Sequence, residues 1–298
     1  MSVPASLWVL AAALAATAAA HAEEHIVYAA GDIARCTHTA PRWTGAADTA
    51  ALLAGRLAAE PGAHVLALGD NVYEAGSAQD YASCYDPTWG RFKDRTWPSP
   101  GNREYRTPGA AGYFRYFGAV AGPGYYTVTL GAWRLFSLDS NLSGAAHAAQ
   151  LAWLRRELAA SSARCTLAYW HHPLYSSGGH GSLPHMKDVW QALHEAGADI
   201  VLSGHDHDYE RFAPQDADGR RDPARGIRQF VVGSGGAFPT PLYPWPQAHS
   251  EARDSNHLGV LRLRLRDDSY EWNFLETGDG FPDGWTPDRG AARCHQLR

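Results

Sequence analysis

The chain has 298 residues, 45% of them hydrophobic and 11% aromatic, enough to bury one substantial core and to exclude a disordered polypeptide. A formal net charge of -5, with Lys and Arg scattered rather than clustered, excludes the electrostatic footprint of a nucleic-acid binder or of a protein held on an anionic membrane. Any affinity for phosphate must then come from a local site.

Residues 1–22 read as a secretory signal: an apolar stretch from Leu7 to Ala20 runs into Ala20-His21-Ala22, a small-x-small cleavage pattern before Glu23, although no Lys or Arg precedes it. The stretch falls short of the roughly twenty apolar residues of a bilayer span. The expected organisation is therefore a signal peptide at 1–22 and a catalytic domain at 23–298, secreted or periplasmic, with no stable membrane association after cleavage. Cys36, Cys84, Cys165 and Cys294 suggest two disulfides in an exported protein, with three connectivities open.

From His25 onward, short apolar strands alternate with amphipathic helices, the pattern of an α/β protein. A strand at 26–30 ends at Gly31-Asp32; a helix at 46–59 presents Leu52, Leu53 and Leu57; a strand at 65–68 ends at Gly69-Asp70. The rhythm repeats with a strand at 133–138, a helix carrying Leu151, Leu154 and Leu158, and a strand at 166–170 ending at His171. A helix with Met186, Val189, Trp190 and Leu193 leads to a strand at 199–202, which ends at Gly204-His205-Asp206-His207. Beyond a strand at 228–232, Leu261, Leu263 and Leu265 alternate with Arg262, Arg264 and Arg266, and Tyr270, Trp272 and Phe274 return after Asp267-Asp268-Ser269. This predicts an antiparallel hairpin with one buried face and the three arginines on its solvated face.

Ligands of open α/β sheets bind beyond the carboxyl ends of the strands, and each polar cluster falls at such an end. Singly these signals are weak, because a Gly-Asp pair after a strand is commonly just a turn. Together, five strand or loop ends deliver Asp32, Asp70 with Tyr73, Asn102, His171, and the pair His205 and His207. On an extended backbone, His205 and His207 would leave the same side about 6–7 Å apart, a span better suited to neighbouring ions than to one. Two-metal hydrolytic centres hold their ions about 3.5–4 Å apart and need a shared carboxylate, for which Asp70 is the natural candidate. Oxygen donors mixed with imidazoles favour iron, manganese or zinc over calcium.

In its blocks GDIA (31–34), GDNVY (69–73), GNRE (101–104), HHP (171–173) and GHDHDYER (204–211), the sequence resembles the calcineurin-like metallophosphoesterases, and within them the purple acid phosphatase group in a short single-domain form. The resemblance implies a four-layer αββα sandwich with two mixed β-sheets. It implies two metal ions: Fe3+ held by Asp32, Tyr73 and His207, and Fe2+, Zn2+ or Mn2+ held by Asn102, His171 and His205, with Asp70 between them. Tyr73 would be a phenolate ligand, the alternative being a ring that merely packs beside the site. The implied activity is hydrolysis of small-molecule phosphate monoesters by metal-bound hydroxide. Alternatives are a phosphodiesterase or nucleotide pyrophosphatase on the same scaffold, or a metal- or phosphate-binding protein with impaired turnover.

One departure motivates that last alternative. The family pattern has a His after the Asn ligand, whereas this chain has Arg103. Arginine clamps phosphate oxygens but has no proton to give at working pH. The candidates for the proton donor are His180, in the loop SSGGHG, and then His172. Because Cys36 and Cys84 both follow strand ends that bear candidate ligands, while Cys165 precedes its strand, the favoured disulfides are Cys36–Cys84 and Cys165–Cys294.

Overall fold

The computed structural model describes residues 24–278 and 287–295; the signal reading at 1–22 lies outside them. In chain order the strands are β1 (His25–Ala30), β2 (His64–Leu68), β3 (Thr96–Ser99), β4 (Tyr126–Leu130), β5 (Trp133–Ser137), β6 (Cys165–Tyr169), β7 (Ile200–Ser203), β8 (Tyr209–Phe212), β9 (Arg228–Val232), β10 (Ser250–Asp254), β11 (Gly259–Leu265), β12 (Ser269–Glu276) and β13 (Arg289–Arg293). The α-helices are α1 (Gly45–Ala59), the one-turn α2 (Ala78–Asp80), α3 (Ala111–Phe117), α4 (Gly144–Ala160) and α5 (Lys187–Glu195). None of the helices is long and apolar enough to cross a membrane among the described residues.

The strands form two sheets, ordered β13-β12-β11-β1-β2-β3 and β10-β8-β9-β7-β6-β5-β4. Both are mixed: β1 runs parallel to β2 and antiparallel to β11, and the second sheet has a parallel centre, β5-β6-β7-β9, with antiparallel neighbours outside. Side chains alternate across a strand, and the second sheet is apolar on both faces. Leu135, Leu167 and Leu202 face the first sheet, where Val27, Leu66, Leu263 and Phe274 meet them. Their neighbours Phe136, Ala168 and Val201 turn outward and pack with Leu154 and Leu158 of α4 and Val189, Trp190 and Leu193 of α5. Truncating a central residue such as Leu167 to Ala should cost about 2–5 kcal/mol, since neither layer can collapse freely onto the gap.

Helix α1 covers the first sheet through Ala46, Ala50, Leu53 and Leu57. Pro61 and Gly62 stop it, and Glu60 ties its end down by accepting from the Tyr28 hydroxyl and from Arg262 Nη2 at 2.5 Å. The arginine face of the β11 hairpin is thus ion-paired rather than simply solvated: Arg262 is drawn under α1, and Arg264 and Arg266 pair with Glu24 and Glu271. The disulfides join Cys36 to Cys84 and Cys165 to Cys294.

Candidate metal centre

The carboxyl ends of β1, β2, β6 and β7 meet along one rim of the sandwich. Asp32 and Asp70 follow β1 and β2 with left-handed backbones, φ 57° and 46°, which turn each carboxylate back across the strand ends. Close approach needs glycine here: a Cβ on Gly69 would lie 2.7 Å from the His171 ring, and one on Gly204 2.6 Å from Asp32 Oδ2. Backbone amides fix one oxygen of each carboxylate, His205 N donating to Asp32 Oδ2 and Arg103 N to Asp70 Oδ1, both at 2.7 Å.

Two groups of donor atoms result. In one, the Tyr73 hydroxyl lies 2.8 Å from Asp32 Oδ1 and 3.0 Å from His207 Nε2. In the other, His171 Nε2 lies 3.1 Å from Asn102 Oδ1 and 3.2 Å from His205 Nδ1. Asp70 joins them: its Oδ1 is 3.5 Å from His171 Nε2, and ligand atoms of Asp32, Asp70 and His171 all lie within 4.8 Å of one another. The backbone at His205 is not extended, as the spacing to His207 suggested. Strand β7 ends at Ser203 and His205 takes φ 75°, so the two rings fan out to different groups instead of standing side by side.

The tautomers decide what these atoms can do. His171 Nδ1–H donates to the Leu68 carbonyl at 3.0 Å and His207 Nδ1–H to the Phe238 carbonyl at 2.7 Å, so in each neutral ring the Nε2 lone pair faces the centre. His171 Nε2 then confronts the carbonyl oxygen of Asn102 and the carboxylate of Asp70, acceptors meeting an acceptor. Such a cluster calls for positive charge, either a proton or a cation. Burial alone would lower the His171 pKa, but attraction by Asp70 and Asp32 outweighs it and lifts it to about 9. Burial and the same two carboxylates push the Tyr73 hydroxyl well above its usual value of 10.0. The donor set therefore fits metal ions.

The candidates for proton transfer and phosphate binding adjoin this centre. Arg103 reaches Asp70 Oδ2 at 3.6 Å and Glu74 Oε2 at 3.5 Å, with its guanidinium 5.0 Å from the Tyr73 ring centroid. His180 lies 4.5 Å, centroid to centroid, from the His205 ring, and both its backbone N and its Nδ1 bond Asp206 Oδ1, at 2.7 and 3.1 Å. His172 lies 4.6 Å from the same ring with Nδ1 2.8 Å from Ser140 Oγ. Burial, then repulsion from His171, pushes the His172 pKa down to about 2.

Two carboxylates escaped the sequence reading although both lie inside the quoted blocks. Glu104, fully buried, accepts from the amides of Gly101 (2.6 Å), Asp70 (3.0 Å) and Asn71 (2.9 Å), and so pins the loops that carry Asp70 and Asn102 to one another. Burial, then repulsion from Asp70, raises its pKa to about 7. Asp206, also fully buried, fixes His180 and is held by the Ser176 hydroxyl at 2.5 Å. The available signal was only that each acid lies inside a block of candidate ligands, Glu104 two residues after Asn102 and Asp206 between His205 and His207.

Residues 26–209 match the calcineurin-like phosphoesterase family, and the chain belongs to it. Its relatives include purple acid phosphatases. Purple acid phosphatase 21 of Arabidopsis thaliana is 27% identical over 194 residues, which cover 59% of this chain and 41% of that protein. Among solved structures, the purple acid phosphatase PPD1 of yellow lupin (Lupinus luteus) superposes with a TM-score of 0.71 at 18% identity, covering 93% of this chain and 55% of that one. GAP50, the anchor in the inner membrane complex of Plasmodium, gives 0.69 at 15% identity, covering 91% and 89%. PhoD gives 0.60 at 12% identity, covering 92% and 70%. The chain thus spans about half the length of the plant relatives it matches, and the solved structures establish the shared fold: the two-sheet metallophosphoesterase sandwich, the architecture expected from the sequence.

Proposed function

We propose that this chain is an exported phosphatase that hydrolyses small-molecule phosphate monoesters at a two-metal centre. The observation that carries the reading is the convergence of potential ligand atoms from Asp32, Tyr73 and His207 on one side and Asn102, His171 and His205 on the other, with Asp70 within reach of both. These residues would hold two ions, Fe3+ beside Tyr73 and Fe2+, Zn2+ or Mn2+ beside His171. A ferric ion suits Tyr73 because the neighbouring carboxylates oppose its ionisation. When bound, the ions supply Lewis acidity toward phosphoryl oxygens and lower the pKa of water.

The chain's own side chains supply orientation and a proton. Arg103, already beside Asp70, clamps equatorial phosphate oxygens and stabilises charge developing on them. His180 commits Nδ1–H to Asp206, so only its protonated, cationic ring carries a second N–H, at Nε2, and it is that proton which would pass to the departing alcohol, leaving the ring neutral. His172 is the weaker candidate, since burial holds its imidazole neutral. Two disulfides accord with an oxidising compartment outside the cytoplasm.

Metal analysis of purified protein, with its visible spectrum and parallel assays of 4-nitrophenyl phosphate and bis(4-nitrophenyl) phosphate, tests the proposal. Iron, a phenolate charge-transfer band and preference for the monoester are expected. Preference for the diester would move the assignment to a phosphodiesterase, and protein that neither holds transition metal nor gains activity from it would refute the centre altogether.

A further inference from the structure

Beside the metal centre, a cavity of about 120 Å³ lined by Arg35, Thr37, Trp43, Thr44, Gly236 and Phe238 has no part in the chemistry above. Two large apolar rings stand at its mouth, Trp43 at 73% exposure and Phe238 at 72%, whereas Trp89, Trp133, Trp170 and Trp190 are fully buried. Exposed aromatic rings on a shared opening mark a contact surface. Phe238 also adjoins the centre directly, because its backbone carbonyl takes the Nδ1–H of His207.

Arg35 joins the cavity to the centre. Its guanidinium lies 5.2 Å from the Phe238 ring centroid and 5.9 Å from that of Tyr73. Its charge is engaged, since Nε pairs with Glu74 Oε1 at 3.1 Å and Thr37 Oγ1 donates to the same oxygen at 2.8 Å. Arg35 therefore offers a planar stacking face more than a second anion site. The Thr44 hydroxyl is likewise spent, on the Pro41 carbonyl at 2.7 Å. Gly45 and Gly236 bring two stretches of backbone together at the cavity: a Cβ on Gly45 would run into Leu258 Cδ1 and lie 2.7 Å from the Gly236 carbonyl oxygen.

We propose that this cavity, which Arg35 and Phe238 connect to Tyr73 and His207, is the leaving-group subsite and accepts a planar aromatic ring. The inference rests on the phosphoester reading of the adjacent centre. With the phosphoryl group at the candidate ligand cluster, a leaving group directed toward Arg35 would meet that guanidinium and the Phe238 ring next to it. A flat π-system satisfies these two faces and asks little of the cavity's polar groups, most of which are already paired. Nucleoside and simple aryl phosphates share this chemistry, and the test has an arm for each.

The test uses the full metal-loaded protein and compares equilibrium binding of phenylphosphonate and methylphosphonate, neither of which can be hydrolysed as an ester, in the wild type, Phe238→Ala and Trp43→Ala. Phenylphosphonate should bind roughly 5- to 20-fold tighter than methylphosphonate in the wild type. Phe238→Ala should erase most of that preference while leaving methylphosphonate within about twofold, because the His207 contact is made by the backbone of residue 238. Trp43→Ala, at the same cavity, should act in the same direction. KM values for a nucleoside 5′-monophosphate, phenyl phosphate and ethyl phosphate then identify the ring source, the preferred ring substrate losing most in each variant. Equal binding of the two phosphonates by the wild type, or a preference that survives both substitutions, overturns the subsite. Hydrolysis with equal phosphonate binding would sink the subsite alone; a ring preference lost in Phe238→Ala without hydrolysis of any ester would sink the phosphatase reading alone.

Discussion

Among the described residues, two clusters of potential metal ligands have every member buried, and proximity alone does not separate them. At the carboxyl-end rim, Asp32, Asp70 and His171 bring ligand atoms within 4.8 Å of one another; near the start of β6, Cys165, Asp199 and Cys294 do the same. The second cluster is closed. Its sulfurs are bonded together, Asp199 Oδ2 takes the Thr166 amide at 2.8 Å, and Oδ1 takes the His295 amide at 2.7 Å. At the first, each carboxylate spends a lone pair on an amide, yet further lone pairs converge with those of the imidazoles. The backbone tells them apart too: Asp32, Asp70 and His205 adopt positive φ, which costs a non-glycine residue roughly 1–2 kcal/mol, whereas Asp199 does not. The first cluster keeps its acceptors unreconciled and its backbone strained; the second resolves both internally.

The contrast can be broken most severely at Asp70. Asp70→Asn should lower kcat/KM by about 10³-fold or more and release metal, because the shared carboxylate is lost, while leaving the folded state intact. Near-normal turnover with full metal content would remove the basis of the contrast. Glu104→Gln should cut metal affinity or activity by about 10- to 100-fold and cost about 1–3 kcal/mol in urea unfolding, since one buried acceptor becomes a donor facing amide hydrogens. An effect on stability alone would make Glu104 a scaffold residue only. The smallest effect on the centre belongs to Cys165→Ala with Cys294→Ala, which should cost about 2–4 kcal/mol of stability while metal content and kcat at 25 °C stay unchanged. Metal loss in that double variant would show that the two clusters are coupled.

Much of this was legible in the sequence because the fold places function at strand ends, and strands buried on both faces, such as β6 and β7, read as short apolar runs. The strands that went unread lack that pattern. β3 carries Pro98, tolerated at the edge of its sheet, and β10, Ser-Glu-Ala-Arg-Asp, has no apolar alternation. The residues of the ligand groups could be listed from their blocks, but the left-handed turn at His205 could not, because it is imposed by the approach of Asp32 to the His205 amide across a long sequence separation. Glu104 and Asp206 were hidden for a related reason. Their importance lies in which distant loops they hold, and no local spacing encodes it.

The absence of side chains at Gly69, Gly101 and Gly204 has a consequence for how such a protein can diversify. A methyl group at any of the three would collide with His171, Asp70 or Asp32 respectively, so the floor of the pocket admits almost no variation. Novelty is confined to the rim, where Trp43 and Phe238 project into solvent and can be exchanged without disturbing what lies beneath. A library randomised at the rim should yield altered preferences, and one randomised at the floor should yield mostly inert protein.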